Sequence, residues 1–217
     1  MKNYKKHVSI HVVLVFAILV YGGTFAYGAK ESIHIAFVMG EIDSTNRSSL
    51  LGAKLYIDMI NRQGGLDGKK IVLDVFDDQN SEEKAREKAL EIVKQDRAVA
   101  VIGHAWSSCS ISGGEVYKEN KIPAISPVST NINVTKNNAW YFRTVFDDNL
   151  QGRFLANYTK MVLKQNQIHI IHEDLPYGAY LAEVLETTAN DLGLEVRSKL
   201  AFDTKEKELN NIYKKIQ

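Results

Sequence analysis

The sequence predicts an α/β fold built on a mostly parallel sheet, and three observations predict it. Apolar runs of strand length alternate with segments of helical period from about residue 32 onward. The run AVAVIG (98–103) is continuously apolar rather than alternating, as in a strand covered by helices on both faces. No internal repeat or low-complexity stretch breaks the alternation.

Taken in order, SIHIAFVMG (32–40) reads as a β-type run. Over 48–62, Leu51, Leu55, Ile57 and Met59 with Ala53 fit a helix, which the glycines of QGGLDGK end. KIVLDVFDD (70–78) is the second strand. Asn80 followed by Glu83 forms a capping pair for a helix with Ala85, Ala89, Ile92 and Val93 on one face. AVAVIG is the third strand, 108–120 a helix, IPAISP (122–127) a fourth strand and WYFRTVF (140–146) a fifth. A helix over about 150–163, a strand QIHIIH (167–172), a helix over about 180–192 and a strand LEVRSKLAF (194–202) continue the pattern. A last helix begins near Glu206.

The first residues carry a different message. MKNYKKH precedes an apolar stretch (8–21) broken only by Ser9 and His11, and small residues follow. A basic start, a short apolar middle and a small-residue end describe a secretory signal, with Ala26 and Gly28 at its −3 and −1 positions. The stretch is about 14 residues, short of the roughly 20 that a spanning helix needs. The expectation is therefore a signal peptide over 1–28 and a periplasmic or secreted protein with no stable membrane insertion after cleavage. The single cysteine, Cys109, lies far from that site, which argues against a lipid anchor and rules out an internal disulfide. Cleavage takes Lys2, Lys5 and Lys6 and no acid from 27 basic and 26 acidic residues, leaving a formal charge of −2. Nucleic-acid binders carry a basic excess or patch, and none is visible.

In open α/β sheets, ligands sit at the carboxyl ends of strands, where loops enter helix N-termini. Two such ends share a hydroxyl-rich composition: VIGHAWSSCS (101–110) and AISPVSTN (124–131). The interval from Ser107 to Ser129 suits one helix and its return, so the two loops can face each other across one edge. Hydroxyls and unpaired N–H groups at helix starts make a neutral, donor-rich pocket for a carboxylate, without lysine or arginine. Either loop alone is also explained by ordinary helix capping.

At this point the chain resembles the type I periplasmic binding proteins of ABC transporters, in the leucine/isoleucine/valine-binding branch. IHIAFVMG, GAKLYIDMINRQGGLDGKK, VFDDQN, VIGHAWSS, IPAISPVSTN, YFRT and DLPYGAYL carry the resemblance, in the family's order. It implies a two-lobed protein, with a first lobe over 29–144 and part of a second over 145–217, closing on a small ligand such as an amino acid or related carboxylate. It also implies an ABC permease as partner and no cofactor. Ser107 would hold the ligand carboxylate, with Trp106 and Ser108 beside it. The loop of Ser129 and Thr130 would offer a backbone carbonyl and a hydroxyl, and Tyr177 would pack over the ligand from the second lobe. Two departures bear on ligand identity: GEIDSTNRSS (40–49) is short and lacks a tyrosine, and Trp106 and Val128 replace smaller residues. The family's acidic partner for the ligand ammonium falls beyond Gln217 and has no counterpart here. The second lobe is therefore expected to expose sheet edges and apolar helix faces, to be less stable than the first, and to support weak binding or none. A ligand-sensing module feeding a receptor keeps the same fold and remains open.

Enzymatic readings have less support. His104 and Cys109 could form a nucleophilic couple but need not meet across a strand-to-helix loop, and Cys109 reads as a small packed residue. His169 and His172, three apart on a strand, face opposite sides. Asp74, Asp77 and Asp78 lack calcium-loop spacing, and GGLDGKK follows a helix, opposite to a phosphate loop.

Overall fold

The computed structural model describes residues 32–203. The export signal read over 1–28 and the helix expected from Glu206 lie outside the described residues.

Strands β1 (Ile33–Val38), β2 (Ile71–Phe76), β3 (Ala98–Gly103), β4 (Ala124–Ser126) and β5 (Tyr141–Arg143) form one parallel sheet in the order β2-β1-β3-β4-β5. Helices α1 (Arg47–Arg62), α2 (Glu82–Gln95) and α3 (Ser107–Glu119) connect them. Period-two alternation in β1 divides the core. Ala36 and Val38 face Ala89 and Ile92 of α2 and Val116 and Tyr117 of α3. Phe37 and the following Met39 face Leu50 of α1 and Ala105. Both sheet faces are thus covered, and the apolar β3 lies at the centre. Val99, near its start, is exposed all the same.

Helix α1 buries only part of the apolar set that marks it in the sequence. Leu50 and Ile57 are buried, whereas Leu51, Leu55 and Met59 are 53%, 73% and 46% exposed. Two adjacent apolar stripes were available, and Asn61 selects between them. Its amide donates to the Ile71 carbonyl and its carbonyl accepts the Ile71 N–H, both at 2.8 Å, so it pairs with β2 as a strand would. Asn61 shares a helix face with Leu50 and Ile57, and that face turns inward.

The cap of α2 is Ser81, which accepts the Lys84 N–H at 3.4 Å, rather than Asn80. Asn80 sits one residue earlier, in left-handed backbone, with its N–H on Asp78 Oδ1. QGGLDGK forms the expected turn, closed by Leu66 and Lys69.

Beyond β5, α4 (Asp148–Asn157) is capped by Asp147 and runs into a π-helical turn (Tyr158–Val162). Strand β6 (Gln167–Glu173), helix α5 (Pro176–Asp191) and strand β7 (Glu195–Phe202) follow, with β6 and β7 forming a two-stranded parallel sheet. Ala156, Ala189 and Leu194 form the small core here. The opposite side of α4 and its π turn is exposed at Leu150, Phe154, Met161 and Val162.

Candidate functional site

Hydroxyls tie the carboxyl ends of β3 and β4 together. Ser126 Oγ donates to the His104 carbonyl at 2.7 Å and accepts the Ser129 N–H at 2.9 Å. Ser129 Oγ lies 2.7 Å from Ser110 Oγ and 3.0 Å from the Ala105 carbonyl. The Asn131 N–H donates to Ser107 Oγ at 3.3 Å. The two serine-rich loops therefore meet at one edge, and their hydroxyls divide into two sets. Those of Ser110, Ser126 and Ser129 are buried fasteners, while Ser107, Ser108 and Thr130 line a cavity above them.

A buried polar network under the loops escapes sequence reading. His104 is fully buried. Its Nδ1 lies 2.5 Å from Asp78 Oδ2, so with that nitrogen donating, Nε2 accepts the Tyr117 hydroxyl at 3.1 Å. Its backbone N–H donates to Tyr141 Oη at 2.9 Å, and Tyr141 donates on to the Gly103 carbonyl at 2.5 Å. Burial pushes both tyrosine hydroxyls above their ordinary range. This network links the ends of β2, β3 and β5 to α3. It also accounts for two glycines inside a helix: a Cβ at Gly113 would lie 2.5 Å from His104 Nε2, and one at Gly114 would lie 2.8 Å from the Tyr141 ring.

The second loop is held from below by Arg143. Its guanidinium donates to the carbonyls of Thr130 at 2.7 Å and Asn131 at 3.0 Å, and to Thr135 Oγ1 at 2.7 Å. Beside it, the Asp148 N–H donates to the Thr130 carbonyl at 3.0 Å. The Asp148 side chain is fully buried. Burial pushes that carboxyl up, while the Thr130 hydroxyl and the Arg143 charge act against the shift.

The cavity, about 520 Å³, opens where the β3 and β4 loops approach the start of α5. That volume is within the roughly 300–1,000 Å³ usual for small-ligand sites. One wall is Trp106, Ser107, Ser108, Val128, Ser129 and Thr130; the other is Phe146, Gln151, Glu173, Leu175, Pro176 and Tyr177. All six residues expected from the sequence line it, and no lysine or arginine does. Trp106, at the N-cap of α3, provides no side-chain cap. The first N–H groups of that helix therefore lack intrahelical acceptors, and Ser107 Oγ, already accepting from Asn131, keeps its proton to donate. The Ser129 hydroxyl is committed to the loop contacts, so its carbonyl is the group it can offer. Across the cavity Gln151 Nε2 donates to Tyr177 Oη at 3.4 Å, and Asn131 Nδ2 joins the two walls through the Pro176 carbonyl at 2.6 Å.

The enzymatic alternatives do not assemble. Cys109 is buried and its thiol is pushed up to about 12 by burial, while His104 faces Asp78 and Tyr117. His169 bonds Ser198 and His172 bonds the Glu173 carbonyl. Asp74 pairs with His34 and Arg97, away from Asp78. Among the described residues no group of three or more His, Cys, Asp or Glu could hold a metal ion.

Fold and cleft together are those of an α/β protein with a cavity at its strand ends. The chain belongs to the periplasmic binding protein family, which matches it over residues 34–217. It is 36% identical over 167 residues to an amino acid binding protein of Pseudomonas aeruginosa, covering 76% of this chain and 45% of that protein. It is 32% identical over 167 residues to Leu/Ile/Val-binding protein homolog 1 of Brucella abortus, with the same coverage. An ABC transporter substrate-binding protein from Desulfitobacterium hafniense, solved in complex with Leu, superposes with a TM-score of 0.72 at 28% identity, over 85% of this chain and 55% of that one. The chain spans about half the length of these relatives.

Proposed function

We propose that the chain captures a small amino acid of branched-chain type as part of an extracytoplasmic solute-binding protein serving an ABC permease. The observation that carries this is the wall that brings Ser107, Ser108 and Thr130 to the uncapped start of α3, beside apolar surface on Trp106 and Val128 and facing Phe146 and Leu175. Neutral donors and the positive end of a helix suit a carboxylate. The apolar surfaces suit an aliphatic side chain, whose burial contributes about 1.5–3 kcal/mol. Tyr177 would close over the ligand from the α5 side. The names of the relatives support the same class of ligand, and they support capture rather than turnover. Export rests on the basic and apolar residues 1–28; no helix among the described residues is long and apolar enough to cross a membrane.

The test is an amide-NMR titration of the purified chain with leucine, isoleucine and valine into the millimolar range, which reads tight and weak binding alike. Resonances of the loops around Ser107 and Thr130 should move with at least one of these, and the Ser107→Ala, Thr130→Ala double variant should lose the response. Absence of any shift with all three, or unchanged affinity in the double variant, would overturn the proposal.

A further inference from the structure

Helix α1 has two apolar faces, and the fold uses one of them. Leu50, Ile57 and the strand-like Asn61 face the sheet. On the opposite side Leu51, Leu55 and Met59 recur every four residues as an outward crest, flanked by Tyr56, which is 62% exposed. A groove of about 710 Å³ runs along the crest, lined by Leu55, Tyr56 and Met59 among others. At their exposures these four side chains present roughly 500 Å² of surface, as large as the biggest apolar patch on an ordinary monomer, which is often a contact site.

The charges beside the crest point to what covers it. Lys54 and Asp58 are exposed, and neither pairs with a described residue. A lysine four residues ahead of an aspartate is the weaker order for pairing within one helix. By helical rotation both lie on one side of the crest, opposite Tyr56. When a second α1 runs antiparallel across a two-fold axis at Leu55, Leu51 of one copy interleaves with Met59 of the other. Asp58 then comes within about 3 Å in height of Lys54 of the second copy, on the same flank, and symmetry repeats the pairing. A parallel pair would instead set Lys54 against Lys54 and Asp58 against Asp58. The exposed side of α4 lacks this complementarity. Between Asn149 and Gln165 it carries Arg153, Lys160 and Lys164 and no acid, so two copies meeting there would bring like charges together.

We infer that α1 is a self-association surface, through which two copies of the chain pair antiparallel on Leu51, Leu55 and Met59, registered by Lys54 and Asp58. Such a pair buries about 1,000 Å² in total, at the lower bound for a specific interface and below the roughly 1,200–2,000 Å² of stable ones. The dimer is therefore reversible, with a dissociation constant in the micromolar to submillimolar range. No residue of α1 lines the cavity at the strand ends, so the contact is independent of the ligand reading.

Sedimentation equilibrium of the native chain from about 1 µM to about 1 mM tests this, with far-UV circular dichroism to check that each variant is folded. The native chain should pass from monomer to dimer across that range. Leu55→Glu, which sets two acids together at the axis, should weaken association at least tenfold. Lys54→Glu and Asp58→Lys should each weaken it about three- to tenfold and together restore it, whereas Phe154→Glu on α4 should leave it unchanged. In a mixture of isotope-labelled and unlabelled copies, filtered NOEs should join Leu51 of one copy to Met59 of the other. Monomer at every concentration, association indifferent to Leu55→Glu, or an equal loss in Phe154→Glu overturns the inference. A double charge swap that fails to restore association overturns the antiparallel register. NOEs from the crest to residues 1–31 or 204–217 of the same copy give the face to that segment and overturn the inference as well.

Discussion

Replacing Arg143 with methionine tests how the candidate site is held. The substitution keeps an unbranched stem and removes four hydrogen bonds, to the Thr130, Asn131 and Ile132 carbonyls and to Thr135 Oγ1. Bonds from a charged donor contribute about 1.5–3 kcal/mol each, which would sum to a very large loss. The structure argues for less. The Thr130 carbonyl still accepts the Asp148 N–H, and the Asn131 carbonyl still accepts the Val134 N–H at 3.1 Å, so neither oxygen is orphaned. The guanidinium is also partly desolvated, which lowers its pKa and offsets some of what its bonds supply. The net cost should be about 2–4 kcal/mol, a fall in Tm of roughly 5–15 °C for a chain of this size. Asp148 adds a pH signature. Arg143 holds down a carboxyl that burial pushes up, so its removal lets that pKa rise further. A carboxyl raised in the folded state contributes stability below its unfolded pKa and loses it as pH rises through the folded value. The penalty of Arg143→Met should therefore be larger near pH 8 than near pH 4. Urea denaturation across that range measures it. A cost below about 1 kcal/mol, or one independent of pH, would refute this account of the loop.

Three further outcomes follow from the same geometry. Gly113→Ala should cost about 1–3 kcal/mol by overpacking, since its Cβ would meet the fully buried His104 ring, whereas Gly52→Ala, with open space around it, should gain up to about 1 kcal/mol in thermal melts. Asn131→Ala should weaken ligand binding by about three- to tenfold, the loss of one hydrogen bond between the cavity walls, read by the same NMR titration. Cys109, with its thiol pushed up to about 12, should react with a disulfide reagent on the order of 10³-fold more slowly in the folded chain than in urea.

The elements most legible in the sequence are those whose pattern has a single physical solution. AVAVIG fits a strand and SSCSIS after a strand end fits a helix start, so β3 and α3 fall where the residues place them. Helix α1 is the contrary case: two apolar stripes satisfy the same period, and the choice rests on an asparagine whose partner lies ten residues away, beyond the reach of periodicity. The pocket-lining hydroxyls are legible because composition repeats at two strand ends. The His104 network is not, since Asp78, Tyr117 and Tyr141 are scattered in sequence and only the sheet order joins them. The one available hint was the SGG triplet (112–114) inside a helical segment. Glycines there cost helix stability unless something must pack closely, and the rings of His104 and Tyr141 do.

The division among the hydroxyls explains why serine rather than lysine occupies this edge. A serine both donates and accepts, so Ser126 can take the Ser129 N–H while giving its proton to the His104 carbonyl, and one small residue fastens two loops. Ser107 accepts the Asn131 N–H in the same way and has a proton left for a guest. A lysine would bring a charge that must be desolvated whenever the cleft empties or closes, and it would attract any anion regardless of shape. Neutral donors fixed in direction bind well only a guest whose acceptors arrive at the right places. On the proposed reading, selectivity on this wall would depend on how rigidly the loops are fastened, so the buried contacts of Ser110, Ser126 and Ser129 would bear on the affinity of the groups that line the cavity.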